Sequence, residues 1–458
     1  MQYRSTRGIA PELGFSDTLL SGLAPDGGLY VPVSWPELPT DDRTLDYAAT
    51  AAAVMAPYVG GDITDDDLGR MCREAYATFR HPATAPLVQI DDHRWVLELF
   101  HGPTLAFKDV ALQLVGRLFD HVLAERGERI TIVGATSGDT GSAAIDGVRR
   151  CENVDIVILY PRGRTSDVQR RQMTTVDAPN VHTVAIDGTF DDCQDLVKAM
   201  FADSSLRSEL RLSAVNSINW ARVMAQVVYY VTASRALQGP VSFSVPTGNF
   251  GNVLAGWIAR RTGAPIRDFI VASNANDILT RFIEHGDMSI NGVVPTLSPS
   301  MDIQVSSNFE RLLFEMDGRD GLMTAERLTN FRANGRLEVD ATAFDEWIRG
   351  SFRAARVDDE ATLAEIAKVH AETGMLIDPH TATATAAAVL AQPGIDVISL
   401  ATAHPAKFPD AVERATGIRP ELPPELADLH ERPERTVDLP SDLAAVTSFV
   451  RSVSRVAR

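Results

Sequence analysis

Short β-branched runs alternate with longer helical patterns through most of this chain, and that alternation is what most constrains its fold. The runs at Trp95–Leu99, Ile130–Gly134, Ile156–Tyr160, His182–Ile186, Val241–Val245, Phe269–Ala272 and Val397–Ala401 read as strands. Between them lie helical patterns at Val110–Arg126, Gly141–Arg149, Cys193–Phe201, Ala221–Leu237 and Asn252–Thr262. A parallel strand pair needs a crossover long enough to hold a helix, so the expected class is α/β, with parallel sheets covered by helices.

The two ends and one internal stretch depart from this rhythm. Residues 1–82 carry turns at Pro25–Gly28, Pro32, Pro36 and Pro39, then helical stretches near Leu45–Tyr58 and Asp65–Phe79. With little strand signal, they are expected to form a small, mainly helical N-terminal domain, closed by the turn-rich link His81–Pro86. The stretch 274–372 is less regular and reads as an insertion in the region 83–458. It holds the polar segment Thr296–Ser307 and helical patterns at Ala343–Ala354 and Thr362–Thr373. Pro420–Pro440 reads as an extended connector before a last helix.

At 458 residues the chain can bury a large core in two or three domains. Its formal charge of -18 disfavours nucleic acid or an anionic membrane as partner, since both require basic patches. No stretch approaches the roughly 20 apolar residues that span a bilayer, and Met1–Gly14 lacks a signal-peptide core, so a cytoplasmic protein is expected. Cys72, Cys151 and Cys193 lie far apart without metal-ligand spacing, which fits reduced thiols and no metal site.

Only four of the 43 basic residues are lysines: Lys108, Lys198, Lys368 and Lys407. Chemistry that needs an amine nucleophile has few candidates. Lys198 and Lys368 sit in amphipathic helical patterns and read as solvated faces. Lys108 and Lys407 lie in loops that follow predicted strands, where open parallel sheets bind ligands.

Three such loops have unusual composition. Gly248-Asn249-Phe250-Gly251-Asn252 joins a strand to a helix, and its glycines free backbone N–H groups to cradle a phosphate at the helix N-terminus. A plain strand–helix turn would read the same way. Thr136-Ser137-Gly138-Asp139-Thr140 offers hydroxyls and N–H groups to an anion such as a carboxylate, although N-capping accounts for one or two of them. His101 through Asp109 puts Lys108 at a helix start, where a cation is poorly placed against the helix dipole and an imine is less penalised. Its apolar flanks Phe107 and Val110 lower an amine's basicity. Thr402 and His404 follow the last strand, and Ser217 and Arg222 straddle the start of another helix, where they could grip a phosphate.

These motifs, together with Tyr3-Arg4-Ser5-Thr6-Arg7-Gly8, Leu23 through Tyr30, Asn216 through Arg222 and Ala401 through Phe408, resemble the threonine synthase family nearly end to end. The likeness is to its longer bacterial and fungal branch, among pyridoxal-phosphate enzymes of fold type II. It implies a catalytic region, 83–458, of two α/β subdomains. It also implies pyridoxal 5'-phosphate as cofactor and conversion of O-phospho-L-homoserine and water to L-threonine and phosphate. Lys108 would bear the cofactor as a Schiff base and then act as base. Gly248, Asn249, Phe250, Gly251 and Asn252 would hold the cofactor phosphate, Thr402 its ring nitrogen, and Asp139 would stand beside its ring hydroxyl. Thr136, Ser137 and Thr140 would hold the substrate carboxylate, with Ser217 and Arg222 on the substrate phosphate. Another fold type II lyase, or a non-catalytic homologue that kept the loops, stays open at this point. So do the choice between monomer and homodimer and the parts played by His101, His380 and His404.

Overall fold

All eight residues of the strand Val154–Pro161 are buried, as a central strand covered by helices on both faces must be. In the computed structural model, which describes residues 1–40 and 44–456, it is the middle of a five-stranded parallel sheet. The order across that sheet is Val437–Pro440, Val181–Asp187, Val154–Pro161, Ile130–Ala135 and Leu212–Ser213. A second sheet of six strands runs Phe352–Arg356, Ile266–Ser273, Val241–Pro246, Val397–Ala401, Arg94–Glu98 and Leu87–Gln89. It is parallel except for its last pair, a hairpin. The strands expected from sequence all occur, divided between the two sheets.

Elements that escaped the sequence reading are mostly edges. Val437–Pro440 is largely exposed and too short to stand out as a strand, yet it pairs with Val181–Asp187, so the supposed connector returns the chain to the five-stranded sheet. Tyr3–Ser5 and Tyr30–Pro32 form an antiparallel ribbon within the otherwise helical N-terminal segment. The expected helix Ala343–Ala354 instead ends in a π-helical turn, Asp345–Arg349, and becomes the strand Phe352–Arg356. Phe344, Ile348 and Phe352 are spaced like a helix face, but Gly350 breaks the run and pairing with Ile266–Ser273 decides the outcome.

The N-terminal segment shares its core with the rest of the chain. Tyr3, Tyr58 and Trp220 are fully buried together, and the Trp220 indole N–H donates to the Tyr3 hydroxyl at 3.0 Å. The helices Lys108–Arg126 and Asp139–Val148 touch backbone to backbone. A Cβ on Gly116 would lie 2.0 Å from the Gly147 carbonyl oxygen, so no larger residue fits. Among the described residues no helix is long and apolar enough to cross a membrane.

Candidate active site

That close helix contact sets the register of two N-termini, and Lys108 and Asp139 are the first residues of their helices. Lys108 Nζ lies 3.2 Å from Asp139 Oδ2 and 3.4 Å from Ser300 Oγ. The other carboxylate oxygen accepts from Lys407 Nζ at 2.6 Å and from Gln169 Nε2 at 2.8 Å. Burial alone would raise the Asp139 carboxyl, but the charges of Lys108 and Lys407 and the Lys407 hydrogen bond hold it well below the usual carboxylate range. Burial lowers the basicity of Lys108; Asp139 opposes this, while the charges of Lys407 and Arg222 add to it. The result is a buried, weakly held amine.

The helix Gly251–Arg261 begins beside it without a side-chain cap, preceded by Phe250 in the left-handed conformation at φ 61°. A non-glycine residue held there stores strain that the surroundings must repay. The Phe250 ring does so by packing on Phe309 and Phe352, at centroid distances of 5.3 and 5.9 Å. The polar stretch of the expected insertion lies over this loop as a strap. Ser306 Oγ donates to the Gly248 carbonyl at 2.8 Å, Asn308 N–H to the Asn249 carbonyl at 3.0 Å, and Asn308 Nδ2 to the Ser217 carbonyl at 3.1 Å. Uncapped N–H groups under a narrow strap, near a buried amine, fit pyridoxal phosphate: phosphate at the helix end, aldehyde at Lys108.

The remaining expected residues divide. Ser137 is exposed and Thr140 half-buried, open to a ligand. The Thr136 oxygen accepts from the N–H groups of Gly138 and Gly141, at 3.0 and 2.9 Å, and so shapes the loop. The Asn252 side-chain oxygen accepts from the Tyr229 and Tyr230 hydroxyls in the core, while its Nδ2 is buried without a partner. The Thr402 carbonyl accepts from Phe107 N–H at 2.8 Å, which ties the last strand's loop to that of Lys108. Arg222 is 3% exposed; its Nη1 donates to the Val215 carbonyl at 3.2 Å, its Nε has no partner, and burial lowers its pKa to about 10.

The three histidines separate cleanly. His404 caps Ala406, and burial with the nearby Arg80 and His101 pushes it down to about 4, so it packs as a neutral ring. His101 pairs with Glu98 at 2.7 Å. His380 alone reaches the strap: Asp378 holds its Nδ1 at 2.7 Å, and its Nε2 accepts from Ser300 N–H at 3.3 Å. Ser300, Gln169 and Asp378 were missed, since a serine among many, a glutamine in a helix and an N-capping aspartate carry no distinctive signal. A cavity of about 790 Å³ between the Asp65–Tyr76 and Lys108–Arg126 helices contains none of the expected site residues, so volume does not locate this chemistry.

Fold and site together define a pyridoxal-phosphate-dependent enzyme of fold type II. The family described as "Pyridoxal-phosphate dependent enzyme" matches residues 79–396, and those described as "Threonine synthase N terminus" and "Threonine synthase, C-terminal" match 2–76 and 381–450. The chain is 54% identical to threonine synthase of Pseudomonas aeruginosa over 98% of both chains. The structure of pyridoxal-phosphate-bound threonine synthase from Brucella melitensis superposes with a TM-score of 0.97 at 52% identity, covering 99% of this chain and 100% of that one. The yeast threonine synthase structure gives 0.93 at 40%, covering 99% and 98%. The chain belongs to the threonine synthase family.

Proposed function

We propose that this chain converts O-phospho-L-homoserine and water to L-threonine and phosphate, with Lys108 as the cofactor-bearing residue and general base. The observation that carries the choice of substrate is Arg222. It is a buried guanidinium with no carboxylate partner among the described residues, near enough to Lys108 to disfavour its charge. A buried cation left unpaired by the protein is stabilised by an anionic ligand, and a phosphate ester supplies one. A lyase acting on an unphosphorylated amino acid has no use for it.

When bound, pyridoxal phosphate supplies the sink for electrons released on proton loss from the substrate. Lys108 Nζ, its basicity reduced by burial, gives up its proton more readily than an exposed lysine and so serves as the base that takes and returns protons. Gly248 to Asn252 would hold the cofactor phosphate by backbone N–H groups, and Thr402 its ring nitrogen. Asp139 would stand by the ring hydroxyl. Ser137, Thr140 and the loop shaped by Thr136 would take the substrate carboxylate, with Ser217 beside Arg222 on the phosphate.

The family boundaries near residue 76 support a division into residues 1–82 and 83–458. Three buried free thiols support a cytoplasmic setting. Monomer or homodimer belongs to the same reading. The test is release of phosphate and threonine from phosphohomoserine by the wild type against Lys108→Ala, alongside the visible absorption of the bound cofactor. Release of both products by the wild type alone supports the reading. Cofactor binding without either product sinks the substrate assignment.

A further inference from the structure

Two buried lysines share one buried carboxylate. Lys108 and Lys407 meet opposite oxygens of Asp139, and the Lys407 side chain is 0% exposed against 10% for Lys108. One negative charge cannot neutralise two ammonium groups in a low-dielectric site, and Arg222 adds a further positive charge. One amine must therefore give up its proton more readily, and the distances say which. Lys407 donates to Asp139 Oδ1 at 2.6 Å and to the Thr104 carbonyl at 2.8 Å. Lys108 has only the longer contacts of 3.2 Å to Asp139 and 3.4 Å to Ser300. The remaining groups around the trio do not restore balance. His380 faces Asp139, and Asp109 lies within reach of Lys407 but is bonded to Thr104.

We propose that Lys407 is a positioning residue for the chemistry at Lys108: it is the resident counter-ion of Asp139, and by occupying that carboxylate it leaves Lys108 as the neutral amine. Without Lys407, Asp139 would close a tight ion pair on Lys108 and lock it as an unreactive ammonium. The inference rests on the reading of Lys108 as the reacting amine.

With four lysines in the chain, one experiment ranks them all. The cofactor-free full-length protein is treated with formaldehyde and cyanoborohydride across a pH series, and each lysine's modification is read by peptide mass spectrometry. Lys108 should be half-modified at the lowest pH. The exposed Lys198 and Lys368 should follow only at higher pH, and Lys407 should be modified only once the chain unfolds. In Lys407→Met the Lys108 midpoint should rise by about one pH unit or more, which is about tenfold slower modification at a pH below both midpoints. Lys407→Arg should restore the wild-type midpoint.

Modification of wild-type Lys108 together with Lys198 and Lys368 overturns the proposal. So does a folded Lys407→Met chain with an unmoved midpoint, or a Lys407→Arg chain that shifts as far as the methionine variant. If Lys407→Met does not fold, the wild-type order decides. No turnover is read, so a failed substrate assignment leaves this result standing, and the reverse.

Discussion

Lys108 and Asp139 face each other at 3.2 Å as the first residues of two helices, and those two positions are electrostatically unequal. A helix N-terminus favours the aspartate and disfavours the lysine. Asp139 is therefore the anchored member of the pair, and Lys108 the one free to change its charge.

Removing the anchor should be costly. Asp139→Asn leaves the Lys407 ammonium buried without a counter-ion, and the expected loss of stability at neutral pH is about 3–5 kcal/mol. The Asp139 carboxyl is held well below its unfolded value, so its contribution is fully present above the ordinary aspartate range near about 3.9 and vanishes only as pH falls through the depressed folded value. Urea unfolding of both chains at several pH values measures this. The gap between them should be constant from pH 5 to 8 and close only in strong acid.

Asp109 should behave in the opposite sense. Burial raises its carboxyl to about 7, despite hydrogen bonds from Thr104 N–H at 2.8 Å and Thr104 Oγ at 2.7 Å. A folded value above the unfolded one means that the neutral acid is favoured. The stability it contributes is complete below about pH 4 and is lost as pH rises through about 7, at most about 4 kcal/mol. Asp109→Asn has no such titration. Between pH 4 and 7 its unfolding free energy should therefore gain on the wild type's, and the two should run parallel above pH 8.

What the sequence disclosed depended on whether a residue's role was local. The loops of Lys108, Asp139 and Gly248 each follow a hydrophobic strand and open a helix, so their position could be read from pattern alone. The strap could not. Ser300, Ser306 and Asn308 act through contacts to residues 58 or more positions away, in a stretch whose polarity reads as an ordinary surface loop. Likewise nothing in the loop's sequence shows that two tyrosines from the Trp220–Ala236 helix claim the Asn252 side-chain oxygen. The edge strand Val437–Pro440 was illegible because what defines it is the backbone of Val181–Asp187 and not its own side chains.

Arg222 offers a separation of stability from function. Its guanidinium is buried with no carboxylate partner among the described residues and an unpartnered Nε, so in the free enzyme it is a burden. Arg222→Met should leave the melting temperature of the ligand-free chain unchanged or higher. The same variant should raise KM for phosphohomoserine by about 100-fold or more, the cost of about 3 kcal/mol for one charge-assisted pair. Cofactor affinity should move far less. A parallel loss of substrate and cofactor binding would place Arg222 in the scaffold instead.

At Gly248 the strap lies directly against the cofactor loop. A Cβ there would lie 2.8 Å from the Ser300 carbonyl oxygen and 3.2 Å from the Met301 Cα, both backbone atoms that cannot rotate aside. At Gly251 the nearest atom would be Asn308 Nδ2 at 3.1 Å, the end of a side chain. Gly248→Ala must therefore push the strap outward, which lengthens the contact of Ser300 with Lys108 and loosens the bond from Ser306 to the Gly248 carbonyl. Its affinity for pyridoxal phosphate, followed by fluorescence titration, should fall at least about tenfold, within the cost of about 1–3 kcal/mol for overpacking. Gly251→Ala should lose less. Hydrogen exchange over residues 296–308 separates displacement of the strap from a defect in the loop itself, and it should quicken in Gly248→Ala but not in Gly251→Ala.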